Sequence, residues 1–124
     1  MNKEIARRLK VYRIVRNITQ EQMANDLKIS RSKVSSWESN RRDMNITDAI
    51  LVSKYLNISM DNLFNPEALS TDEFNKIATR YFQNSEISDF EKTETLKKLF
   101  KYKSDFEIEK LFNESKWRNL YRKD

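Results

Sequence analysis

With no glycine and a single proline, Pro66, the 124-residue chain lacks the two residues that punctuate most folds. Tight hairpins depend on glycine at positive φ, and phosphate-cradling loops depend on its missing Cβ. The glycine-rich nucleotide-binding fingerprints are therefore excluded. Helix interiors are where glycine and proline cost most, so a chain that omits both is expected to be all-α. A charged fraction of 35% against 38% hydrophobic residues suits short amphipathic helices around thin cores.

Cysteine and histidine are absent as well. That removes disulfides, Cys/His zinc sites, thiol nucleophiles and imidazole acid–base chemistry. Asp and Glu could do acid–base work, but no pair or metal-like carboxylate spacing stands out. We therefore expect no enzyme, no metal and no cofactor. No apolar run approaches the roughly 20 residues of a membrane span. Met1-Asn2-Lys3-Glu4 leads straight into a charged amphipathic stretch, so no signal peptide is visible. The expectation is a soluble, cytoplasmic, nucleoid-associated protein without membrane contact.

Charge divides the chain. Residues 1–65 carry 12 Lys/Arg against 7 Asp/Glu, whereas residues 66–124 carry 12 of each. Of the 14 aromatic residues, 10 lie after Pro66. A basic half followed by a neutral, aromatic-rich half points to one part that meets a polyanion and one that meets protein.

Periodicity and capping signals place the helices. Ile5, Ala6, Leu9, Tyr12 and Val15 recur at helical spacing over residues 2–16. Thr19 and Gln22 form a capping box that opens a second helix, with Met23, Ala24 and Leu27 inward. After a turn at Lys28-Ile29, Ser30 caps a third helix over 31–38, with Val34 and Trp37 inward. Asn45 caps a fourth through Tyr55, expected to bury Ile46, Ala49, Ile50, Leu51 or Val52, and Leu56. Ser59 caps a fifth ending near Phe64, and Asn65-Pro66 closes the domain. Ser70/Glu73, Ser88/Glu91 and Ser104/Glu107 then predict helices near 71–83, 89–103 and 105–122. In the last of these, Ile108, Leu111 and Phe112 lie nearly opposite Trp117, Leu120 and Tyr121. Either that helix breaks near Asn113 or a second chain covers one face, and we favour the second chain. The division is thus a domain over 1–65 and a helical oligomerisation or interaction module over 66–124.

The second and third helices with their short turn have the size and order of a helix-turn-helix. Residues 3–64 resemble the Cro/C1-type (Xre-family) domain of phage and bacterial repressors. The resemblance is carried by Thr19-Gln20-Glu21-Gln22-Met23-Ala24, Leu27, Ile29-Ser30, Val34-Ser35-Ser36-Trp37-Glu38 and the stretch from Leu51 to Phe64. Where that family usually places glycine at turns, this chain has Asn17, Lys28, Asn40 and Asn57, and asparagine is the best substitute at positive φ. One local rule is broken in support: the third helix starts Ser30-Arg31-Ser32-Lys33, two cations where the helix dipole disfavours them.

The resemblance implies a five-helix, lambda-repressor-like fold followed by about three further helices. It implies base reading by Arg31, Ser32 and Ser36, with Ser35 and Lys33 flanking, and phosphate contacts from Gln20, Asn40, Arg41 and Arg42. It also implies a structural ion pair between Arg13 and Glu38. Trp37 is expected in the core, and Arg7, Arg8 and Arg16 as solvated charges. The functional expectation is a repressor that binds an inverted-repeat, double-stranded DNA operator as a homodimer, its half-sites about 34 Å apart or a multiple of it. Oligomerisation would run through Phe106, Leu111, Phe112, Trp117, Leu120 and Tyr121. The alternative is an antitoxin-type autorepressor whose C-terminal module binds a partner protein. A regulatory protein or peptide, proteolysis and a small molecule all stand as candidates for what relieves binding.

Overall fold

The computed structural model describes residues 3–121, apart from the side chains of Pro66 and residues 118–121. The order is α1 (Lys3–Val15), α2 (Gln20–Leu27), α3 (Arg31–Glu38), α4 (Ile46–Tyr55), α5 (Met60–Phe64), a 3-10 turn (Pro66–Ala68), α6 (Thr71–Phe82), α7 (Asp89–Leu99) and α8 (Asp105–Tyr121). No strand occurs among the described residues. The chain divides between Ala68 and Leu69 into two compact units.

In the first unit α1 packs on α3 and α5, α2 on α3, and α4 on α5. Leu9, Tyr12, Met23, Val34, Trp37, Val52, Leu56 and Leu63 are fully buried. Thr19 makes both halves of its capping box, accepting from Gln22 N (3.0 Å) and donating its own N–H to Gln22 Oε1 (2.8 Å). Ser30, Asn45 and Ser59 each accept the backbone N–H three residues on. Such caps satisfy amides that the first turn of a helix leaves without a partner. The turns are closed by Asn17, Lys28, Asn40 and Asn57, all at φ between 52° and 60°. A backbone plan that glycine usually serves is thus built without it.

On α4 the inward stripe is Ala49, Val52, Ser53 and Leu56. Of the alternatives Leu51 and Val52 it is Val52 that is buried, whereas Ile46 (67% exposed) and Ile50 lie off the stripe, contrary to the expectation. Ile50 lies about 100° from Ala49 around the helix, on the flank of this face, and Ile46 stands at the first position of α4, where it is open to solvent.

In the second unit α6, α7 and α8 pack pairwise. Phe74 meets Phe100 edge-on at 5.1 Å, and Tyr102 joins them. Phe82 meets Phe112 at 5.2 Å. α7 stops at Leu99, short of the expected 103, because Phe100 leaves helical geometry (φ −125°, ψ 60°) to bury its ring in this cluster. Lys92 is buried and its Nζ donates to Phe82 O at 2.8 Å, where α6 ends and its carbonyls need donors. α8 runs unbroken through Asn113.

Candidate nucleic-acid interface

The surface begins with the phase of α3. Val34, Trp37 and Glu38 point inward and leave Ser32, Ser35 and Ser36 on the outward half, while Arg31, on the Glu38 side of the helix, is open because it stands in the exposed first turn. Arg31 and Ser32 are exposed, and Ser35 and Ser36 half-buried. Ser30 Oγ fixes the start of the helix by accepting from Lys33 N at 3.1 Å. Every other α-helix described has an acidic residue in its first turn, whereas α3 has none. Hydroxyls and a guanidinium thus occupy the end of a helix whose dipole is positive there, an arrangement that suits a polyanion.

Lys33 stands apart from this group. Its Nζ lies 3.7 Å from Asp48 Oδ1 on α4 and 5.5 Å over the ring of Trp37. Trp37 itself is fully buried and has no face to offer a base.

The loop after α3 folds back on it. Asn40 at φ 60° turns the chain, and the N–H groups of Arg41 and Arg42 both donate to Ser36 O, at 2.9 and 3.1 Å. Arg41 Nε donates to Ser39 Oγ at 3.0 Å. Asn40, Arg41 and Arg42 are all exposed beside the last turn of α3.

Beneath the surface, Arg13 grips Glu38 through Nε to Oε2 (2.6 Å) and Nη2 to Oε1 (2.9 Å), both side chains buried. Arg13 Nη1 also donates to Ile18 O at 2.7 Å, holding the α1–α2 connection. Gln20, the first residue of α2, donates Nε2 to Glu38 Oε1 at 3.0 Å. One carboxylate therefore joins α1, α2 and α3. Gln20 is half-buried, with one amide hydrogen committed to the protein.

Arg8 corrects the expectation of a solvated charge. It is 3% exposed and donates Nε to Leu63 O and Nη2 to Phe64 O, both at 3.3 Å. It thus supplies donors to the end of α5, and burial lowers its pKa, partly opposed by Tyr12 and Glu4. The signal was present: Ile5, Arg8, Leu9 and Tyr12 follow the i, i+3, i+4, i+7 pattern of a buried stripe. Arg7 is exposed, and Arg16 Nη1 donates to Tyr12 O at 3.0 Å. The Tyr55 hydroxyl donates to Asp26 Oδ2 at 2.5 Å, linking α4 to α2. Burial, and then this bond and the Asp26 charge, push the Tyr55 phenol up to about 12.

In the second unit, Ile108, Leu111, Phe112 and Ser115 share the inward face of α8. Leu111 and Phe112 are half-buried within their own unit, so they do not form the open surface expected of them. Phe106 (74% exposed) and Trp117 (59% exposed) lie on the opposite face. The side chains of Leu120 and Tyr121 lie outside the described residues.

A family model for the helix-turn-helix domain matches residues 6–69, which contain α2, the Lys28 turn and α3. The chain belongs to this helix-turn-helix family. It is also similar to the HTH-type transcriptional activator BcrR of Enterococcus faecalis, 29% identical over 99 residues. That match covers 80% of this chain and 41% of the relative, so the chain spans less than half of that protein's length. No solved structure matches. The helix-turn-helix match ends at Leu69, and the second unit lies almost wholly beyond it. Among the described residues no helix is long and apolar enough to cross a membrane, and no three His, Cys, Asp or Glu groups cluster to hold a metal ion.

Proposed function

We propose that this helix-turn-helix chain is a sequence-specific transcription regulator of the Cro/C1 (Xre) type. In this reading it is a homodimeric repressor on an inverted-repeat operator, with α3 of each copy in the major groove. The observation that carries the proposal is the accessible surface of α3, where exposed Arg31 and Ser32 and half-buried Ser35 and Ser36 stand without an acidic residue in the first turn. Arginine on guanine O6/N7 discriminates by roughly 1–3 kcal/mol, and serine hydroxyls accept or donate to either base type. Exposed Arg41 and Arg42, held beside α3 by the Ser36 carbonyl, supply backbone charge neutralisation.

Repression by occupancy needs DNA binding alone, whereas activation also needs a surface that engages polymerase. The printed name of the Enterococcus faecalis relative makes that protein an activator. The direction of regulation is therefore part of the test. Full-length protein is incubated with a random duplex library at moderate salt, and the retained DNA is sequenced. Enrichment of an inverted repeat is expected, and a reporter with that repeat over its promoter should fall when the protein is expressed. A rise would replace repression by activation, and retention without any sequence preference would overturn the reading.

A further inference from the structure

Two cations stand in the first turn of α3, and the fold treats them differently. Arg31 is exposed and makes no hydrogen bond or ion pair among the described residues. Lys33 lies against its own helix. Its Nζ is 5.5 Å from the centre of the buried Trp37 ring, one turn on, and 3.7 Å from Asp48 Oδ1 of α4. The Lys33 side chain is 28% exposed and that of Asp48 16%, so water only partly screens the pair. Neither has another ion-pair partner among the described residues. Asp43, the other carboxylate between α3 and Asp48, is exposed and forms no ion pair with Lys33.

Sequence position alone would give this ammonium to DNA. At 100° per residue Lys33 stands about 60° from Ser36 and about 100° from Ser32, on the flank of the surface that carries the serines. A lysine there has a flexible four-carbon stem and binds phosphate as a point charge. Such a contact carries no sequence information and strengthens binding to every duplex alike.

Asp48 stands where it can prevent this. It is the third residue of α4, and its N–H donates to Asn45 Oδ1 at 2.7 Å, so the turn that carries it is itself fixed. While paired, the two charges cancel and offer little to a polyanion. If Lys33 left for a phosphate, Asp48 would remain as an uncompensated, largely covered carboxylate close to the DNA. The exchange would therefore gain little.

We propose, on the DNA-binding reading of α3, that Asp48 is a positioning residue that sets specificity: it withholds the Lys33 ammonium from the DNA backbone, so that the first turn of α3 meets the duplex through Arg31 and Ser32. Asp48→Asn keeps the shape of the side chain and the backbone cap and removes the charge. Lys33→Met keeps an apolar stem beside Trp37 and removes the ammonium. Affinity of the full chain for a random duplex and for any selected operator is measured against salt, for the native chain, both single variants and the double variant.

Asp48→Asn binds the random duplex several-fold more tightly, steepens log affinity against log salt by about one, and lowers the ratio of operator to random binding. Lys33→Met leaves the native slope as it is, and the double variant returns to it. A slope that falls by about one in Lys33→Met would put the ammonium on phosphate already. A steeper slope for Asp48→Asn that survives in the double variant would make Asp48 act by its own charge and not through Lys33. Either result overturns the proposal. Mass-resolved acylation of the lysines without DNA reads the pair by itself: Lys33 reacts more slowly than exposed Lys28 in the native chain, and faster once Asp48 is changed. Equal rates for the two lysines in the native chain would also overturn it. Failure of the DNA reading looks different. In that case no variant binds duplex at any salt, the withholding role falls with the reading, and the acylation difference persists.

Discussion

The guanidinium of Arg13 lies against the carboxylate of Glu38 with two short contacts, 2.6 and 2.9 Å, and neither side chain is open to solvent. The last residue of α3 is thereby fixed to α1, and through Gln20 to the first residue of α2. This carboxylate, with the fully buried Val34 and Trp37, sets the attitude of α3.

Removing one member of such a pair leaves the other charge buried and alone, at a cost of about 3–5 kcal/mol. Arg13→Met and Glu38→Leu are each expected to destabilise the first unit by that order, read as a fall in its urea midpoint. The double variant should lose clearly less than the two losses added together, since no charge is then stranded. Strictly additive losses would show that the pair does not act as a unit.

Lys28 occupies the left-handed region at φ 57°, where a Cβ costs about 1–2 kcal/mol relative to glycine. Part of that relief is offset by the larger entropy glycine loses on folding. Lys28→Gly is expected to stabilise the first unit by about 0.5–1 kcal/mol, visible as a higher thermal midpoint. Asn57→Ala, at φ 52°, should shift it the other way. A lower midpoint for Lys28→Gly would contradict the backbone account of this turn.

The Tyr55–Asp26 bond predicts an alkaline limb of stability. The folded phenol ionises at about 12, above its ordinary value of 10.0. Below pH 10 it is protonated in both states and the bond contributes in full. As pH rises from 10 towards 12 the unfolded chain releases its proton first, and that stability is lost. Urea midpoints across this window should fall more steeply for the native chain than for Tyr55→Phe. Parallel curves would remove the bond from the account.

Much of the first unit was legible because its signals are local. Thr19, Ser30, Asn45 and Ser59 announce helix starts by their own hydrogen-bonding chemistry. Asn17, Lys28, Asn40 and Asn57 stand where turns need positive φ. What escaped depends on packing between distant segments. Arg8 lies on the buried stripe of α1, but what satisfies its guanidinium is known only once α5 presents two carbonyls to it, some 55 residues on. Ile46 and Ile50 read as core until the neighbours of α4 select the face of Ala49 and Val52. The end of α7 is set by an aromatic cluster that only the folded second unit assembles. On the interface itself, the sequence offers Lys33 as a flanking candidate beside Arg31, and only the fold shows its Nζ turned to Asp48.

In the proposed complex α3 reads bases while the following loop holds backbone. Selection from the random duplex library, repeated with Arg31→Ala and with Arg41→Ala, tests it most directly. Arg31→Ala is expected to lose preference at one position of each half-site, worth about 1–3 kcal/mol, and to keep the rest of the motif. Arg41→Ala should keep the whole motif, bind all sequences more weakly, and reduce the slope of log affinity against log salt by about one. An unchanged motif for Arg31→Ala, or the same uniform weakening from both variants, would contradict base reading by α3.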